Sequence, residues 1–101
     1  MNIKFNYLYR DAGNFKTYGC VIFTAPNPID LERLDQRIRD SLIDQEYFFA
    51  AKVSVPDLHA TTWDYDLDHS WHEYEGLELT GELSNDQDKR DIDTFVSTFN
   101  F

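Results

Sequence analysis

The densest run of reactive side chains in this sequence is Asp64-x-Asp66-x-Asp68-His69-x-x-His72-Glu73-x-Glu75. Carboxylates and imidazoles in this density suit a divalent cation, because hard ions take oxygens and zinc or manganese accept nitrogen as well. If the run begins extended, Asp64, Asp66 and Asp68 project to one side at a spacing of about 6.6 Å. The spacing also imitates a calcium-binding loop, with acids at its alternating first positions and Glu75 where the closing glutamate belongs. His69, however, stands where such a loop needs glycine for its sharp turn, and strand-like sequence follows in place of a helix. A less regular metal site would draw on Asp68, His69, His72 and Glu73. The plainer reading is a solvated acidic loop beside half-buried Trp63 and Trp71.

Other groups are weaker candidates for chemistry. His72 and Glu73 could form an acid–base pair, but neighbours on a strand face opposite ways. Cys20 could be a nucleophile beside a histidine. It sits in an apolar stretch, where a cysteine is expected to serve as a small buried hydrophobe. Tyr7, Tyr9, Arg10, Asp11 and Asn14 crowd one turn, and Tyr9, Asp11 and Asn14 could line a small-ligand pocket. Arg33 and Arg37 share a helix face, yet acids at 30, 32, 35 and 40 surround them, so a mixed solvated face is expected. No phosphate-binding glycine loop or nucleophile elbow is present.

The elements that must position these groups fit in one domain, residues 1–101, carrying 19 acids against 9 bases for a net charge of −10. An acidic surface argues against gripping nucleic-acid phosphates or an anionic membrane. No stretch approaches the roughly 20 apolar residues of a membrane span, and the opening residues alternate rather than form a signal sequence. With a single cysteine the chain holds no internal disulfide, and the expected compartment is the cytoplasm. The charge is uneven. Residues 1–56 hold 7 acids and 7 bases, whereas residues 57–101 hold 12 acids and only Lys89 and Arg90.

Alternation of Ile3, Phe5, Tyr7 and Tyr9 predicts a strand over 3–9, and β-branched and aromatic residues predict another over 17–24. Asp11 to Asn14 supplies the turn of a hairpin between them. Leu31, Leu34, Ile38 and Leu42 predict a helix over 28–43, with Asn27 as its cap and Pro28 as its first residue. Asp35 and Arg39 would pair on its surface. A third strand is expected over 47–55, a loop over 57–70, and an edge-like strand from Trp71 to Leu79, where alternation is poor. Ile92, Phe95, Val96 and Phe99 predict a terminal helix capped by Asp86 or Asp88. The order β-β-α-β-β-α implies an α+β two-layer sandwich, with two helices on a four-stranded, mostly antiparallel sheet.

Tyr7-Leu8-Tyr9-Arg10-Asp11-Ala12-Gly13-Asn14-Phe15-Lys16, Leu42-Ile43-Asp44-x-Glu46-Tyr47-Phe48 and Asp68-His69-x-Trp71-His72-Glu73-Tyr74-Glu75 together resemble a family of small bacterial proteins with no assigned activity. The resemblance implies a bacterial cytoplasmic protein and transfers no catalytic role. It directs attention to the hairpin turn and to Trp71–Glu75. The leading expectation is a non-enzymatic module without a cofactor. It would engage a basic protein partner, or a second copy of itself, through Asp64, Asp66, Asp68, Trp71, Glu73 and Glu75. The rival is a divalent-metal or small-ligand site around Asp68, His69, His72 and Glu73.

Overall fold

The computed structural model describes residues 1–25, 28–59 and 71–99. Its elements are β1 (Asn2–Arg10), β2 (Lys16–Phe23), α1 (Leu31–Ser41), β3 (Tyr47–Phe49), β4 (Trp71–Thr80) and α2 (Ile92–Ser97), with one 3₁₀ turn at Ala50–Lys52. The strands form a four-stranded antiparallel sheet in the order β2-β1-β4-β3. This is the expected α+β fold, with both helices contributing to the core on one side of the sheet.

β1 is central, and its period-two pattern does what a half-buried strand requires. Ile3, Phe5, Tyr7 and Tyr9 are all buried on the helix-covered face. The Phe5 ring lies between 4.9 and 6.0 Å from the rings of Tyr7, Phe48, Tyr74, Phe95 and Phe99, so one side chain links three strands and the C-terminal helix. Edge-to-face and offset contacts of this kind add about 0.5–1.5 kcal/mol each to the area they bury.

α1 buries Leu34 and Ile38, as the periodicity demands, but it starts later than expected. Asp30 is the cap, its side chain accepting the Arg33 N–H at 3.1 Å, and Pro28 lies outside the helix. Asn27 lies outside the described residues. The Asp35–Arg39 pair forms at 3.1 Å. Asp35 also accepts the Tyr74 hydroxyl at 2.6 Å, and the Arg39 guanidinium covers the Tyr74 ring, which latches α1 to β4. Burial and this bond to Asp35 push the Tyr74 hydroxyl pKa well above its ordinary value.

The third strand is much shorter than the alternation suggests. It ends at Phe49, and the chain turns through Ala50–Lys52, where the Ala50 carbonyl accepts the N–H groups of both Val53 and Val55. A continued strand would set Val53 and Val55 on the opposite face from Phe48. The turn, with Ser54 at φ 55, brings both into the core with it.

β4 explains its own poor alternation. Asn6 faces Gly76 while Tyr7 faces Tyr74, so Glu75 is an extra residue in a β-bulge. Leu77 and Leu79 follow the bulge in the chain, on the core side of the register opposite Phe5 and Ile3. Before it, Tyr74 and His72 take the core side and Glu73 the other. Gly76 sits at φ 132, a conformation closed to most side chains.

α2 is capped by Asp91, which accepts the Thr94 N–H at 2.8 Å, and not by Asp86 or Asp88. Asp86 is buried instead. It holds Arg90 through Nε at 2.9 Å and Nη2 at 3.0 Å. Arg90 also donates to the carbonyls of Val53 and Ser54 and stacks on Phe23 and Phe95. One guanidinium thus ties the 50–55 turn to the C-terminal helix.

Two outcomes follow for stability. Gly76→Ala meets open space yet forces an alanine to φ 132, so urea denaturation should show a loss of about 1–3 kcal/mol. The Arg90 hydrogen bond lowers the Asp86 carboxyl pKa from its ordinary 3.8. A depressed acid stabilises the fold above about pH 4 and loses that contribution as pH falls through its native value. Asp86→Asn, which leaves Arg90 buried without a counterion, should cost about 3 kcal/mol at pH 7 and flatten the acid limb of a stability–pH curve.

Candidate functional site

β3 is one edge of the sheet, and its outward face meets the start of β4. Tyr47 is paired with Glu73 and Phe49 with Trp71, so these four side chains share the face away from the helices. The Tyr47 and Trp71 rings stand edge to face at 6.3 Å and 64°. With Phe49, Ile43 and Asp44 they line a cleft of about 360 Å³. Trp71 remains 43 % exposed and Ile43 50 %, a degree of apolar exposure that folding alone does not require.

The turn that forms the rim is tight. The Glu46 N–H bonds the Ile43 carbonyl at 3.1 Å, and Ile43 and Tyr47 exchange both backbone bonds at 2.9 Å. Asp44 and Gln45 take φ 52 and 59 in succession. Aspartate tolerates this left-handed region, glutamine less well. The hairpin closes the outer edge of β3 at Tyr47 and places the Asp44 carboxylate beside the aromatic walls.

The electrostatics of the cleft favour a cation. The Glu46 charge, then burial and the Glu73 charge, raise the Tyr47 hydroxyl pKa. Aromatic faces carry negative potential, and a nearby carboxylate adds to it. Within the chain, Lys52 Nζ already lies 5.1 Å over the Phe49 ring. Arg10 sits at the inner side of this surface and grips Glu73 with Nε at 2.8 Å and Nη2 at 3.2 Å. That pair raises the Arg10 pKa and leaves Glu73 as a fixed, partly shielded charge.

The residues expected to hold a metal are distributed differently. His72 is buried on the core face among Tyr7, Tyr9 and Phe48. Its Nε2 accepts the Leu58 N–H at 3.1 Å, which assigns a neutral ring with that nitrogen unprotonated. Asp57 Oδ1 lies 3.3 Å from the same nitrogen, but it already accepts the His59 N–H at 2.8 Å. That contact becomes an ion pair only if His72 gains a second proton. Glu73 points to the opposite face and is bonded to Arg10. Asp64, Asp66, Asp68 and His69 lie outside the described residues. Among the described residues no three histidine, cysteine or acidic side chains are grouped to hold a metal ion.

The hairpin residues do not converge either. Asp11 Oδ1 accepts the N–H groups of Gly13 and Phe15, and Asn14 accepts from Arg10. Both are occupied in building the turn. Tyr9 faces the core against His59 and His72. Cys20, expected to be buried, is exposed on the outer face of β2. Its apolar neighbours Val21 and Phe23 take the alternate side. Among the residues proposed for a partner surface, Trp71, Glu73 and Glu75 are described and lie at the end and bulge of β4. The aromatic cleft, which of these three only Trp71 lines, is not legible in the sequence because its walls come from two strands separated along the chain. Only Trp71 and the apolar Tyr47-Phe48-Phe49 run signalled it.

No helix of the described residues is long and apolar enough to cross a membrane. Comparison of the chain with protein-family models, with curated proteins and with solved structures finds no match.

The paired left-handed residues make a direct test of the rim. Gln45→Gly should relieve the turn and raise stability by up to about 1 kcal/mol in thermal or urea unfolding.

Proposed function

We propose that this chain is a non-enzymatic interaction module that binds a basic protein partner at the β3–β4 edge and the acidic section that follows Pro56. The observation that carries this reading is the cleft itself: half-buried Tyr47 and Phe49 and exposed Trp71 form its aromatic walls, and Asp44 stands on the rim. A lysine or arginine side chain suits such a place. Its apolar stem covers aromatic surface while its charge meets ring faces and carboxylate. The regional charge supports the same partner. All ten unbalanced negative charges fall in residues 57–101, and Trp71, Glu73 and Glu75 open that section's strand. Carboxylates spread around the cleft would steer a basic partner inward and set its approach rate more than its final affinity.

The test is calorimetric titration with an arginine- and lysine-rich peptide. Trp71→Ala should weaken binding about tenfold or more, as loss of a central aromatic anchor does, and Asp44→Asn should weaken it less. Affinity should fall as salt rises. Binding that ignores Trp71→Ala, or the absence of binding at low salt, would sink the proposal.

A further inference from the structure

The opposite edge of the sheet is only half covered. In β2 the even-numbered residues turn their backbone groups outward. Ile22 shows this by exchanging both of its backbone bonds with Asn85, through Oδ1 at 2.8 Å and through N at 3.0 Å. Thr24 continues the pattern by accepting the Ile92 N–H at 2.8 Å. The same alternation turns the N–H and C=O of Lys16, Tyr18 and Cys20 outward, and these meet no partner among the described residues. Tyr18 is 66 % exposed and Phe15, just beyond the strand, 73 %. An open edge of this kind is a template for another strand.

We infer that a second copy of this chain occupies it, pairing β2 with β2′ antiparallel about a two-fold axis at Tyr18. That register is the one that uses the whole open stretch. It sets Tyr18 against Tyr18′ and Lys16 against Cys20′, so all three outward residues join hydrogen-bonded pairs. It is also self-complementary in shape. Phe15 falls opposite Val21′, and beside Val21 the chain carries a cleft lined by Cys20, Val21, Pro56, Asn85, Asp86 and Gln87. An exposed apolar knob and an empty hole thus lie at symmetry-related positions of one edge, which is what an isologous contact requires. Charge permits the meeting. Lys16 is the sole charged side chain of the open stretch, and Asp86 at the hole is already neutralised by Arg90. Two copies of an acidic protein can approach here without setting carboxylate against carboxylate. The pairing joins two four-stranded sheets into one and leaves a β3–β4 cleft at each far end. If the proposed partner-binding role holds, the assembly is bivalent. The pairing itself does not rest on that role.

The experiment is light scattering behind size exclusion over a wide range of concentrations, on the full chain and two variants. The wild-type protein should show a concentration-dependent dimer. Tyr18→Pro removes an outward N–H without touching a β1–β2 bond, so it should weaken the dimer about tenfold or more while circular dichroism stays unchanged. Should that variant unfold, a second one decides. Tyr18→Cys in a Cys20→Ser background places two thiols at a Cα separation of about 5.5 Å, within disulfide range, and should cross-link rapidly under mild oxidation. Native Cys20, about 13 Å from its copy in this register, should not. A wild-type monomer at every concentration, a dimer indifferent to Tyr18→Pro, or rapid cross-linking through Cys20 would each overturn the inference. None of these readings involves a basic partner, so failure here leaves the cleft proposal standing and failure there leaves this one.

Discussion

One extra residue in β4 decides which face each side chain from Trp71 to Tyr74 occupies. Strand alternation is strict, so inserting Glu75 opposite Asn6 exchanges the two faces for all residues on the Trp71 side of the bulge. Without it Trp71, Glu73 and Glu75 would share the core side with Leu77 and Leu79, and Tyr74 and His72 would face solvent. With it, Tyr74 reaches the aromatic centre around Phe5, His72 enters the core, and Trp71 is released to wall the outer cleft. Gly76 makes the exchange possible, since its φ of 132 is a region that side chains disfavour. The core and the candidate site are therefore two consequences of one backbone irregularity.

The rest of the molecule is fastened to this frame by a few polar groups buried at its joints. Arg90 joins several segments at once, binding Asp86, two carbonyls of the 53–54 turn and the faces of two phenylalanines. Its partners lie more than thirty positions apart in the chain, so it closes long loops that packing alone would leave loosely placed. Tyr7 and Tyr74 act similarly, each burying a ring and spending its hydroxyl on the Pro56 carbonyl or the Asp35 carboxylate. Gly19 lets the 56–58 segment approach closely, because a Cβ there would stand 2.7 Å from Leu58 Cδ2. Such joints hold the described segments that lack regular secondary structure against the sheet.

The surface divides along the sheet. The β3 edge is aromatic and lies beside carboxylates; the open half of the β2 edge is nearly uncharged. These two edges bracket a sheet whose inner strands already have both neighbours. A module that binds a basic chain at one edge and its own copy at the other would use the two margins of its sheet for different purposes. The difference in charge between them would keep the two proposed kinds of contact from competing.

Much of this architecture is legible in the residues. The alternation of Ile3, Phe5, Tyr7 and Tyr9, the spacing of Leu34 and Ile38, and the Asp11–Asn14 turn each encode local geometry in a local pattern, and the elements follow. The concentration of acid after Pro56 is likewise a property of the sequence. What it could not disclose depends on register and on distant partners. The 47–55 alternation breaks at Ala50 because Val53 and Val55 gain more by joining Phe48 in the core than by continuing an edge strand. Asp86, placed like a helix cap, is taken by Arg90 instead, and Asp91 caps α2. His72 and Glu73, adjacent in a run that looks made for a metal, are turned to opposite faces, one closed in by aromatic rings and the other by Arg10. Composition and periodicity determined which elements form and where the charge lies. Tertiary structure decided which face each side chain occupies, because a single bulge, which the local pattern registers only as poor alternation, sets the register of the strand that carries them.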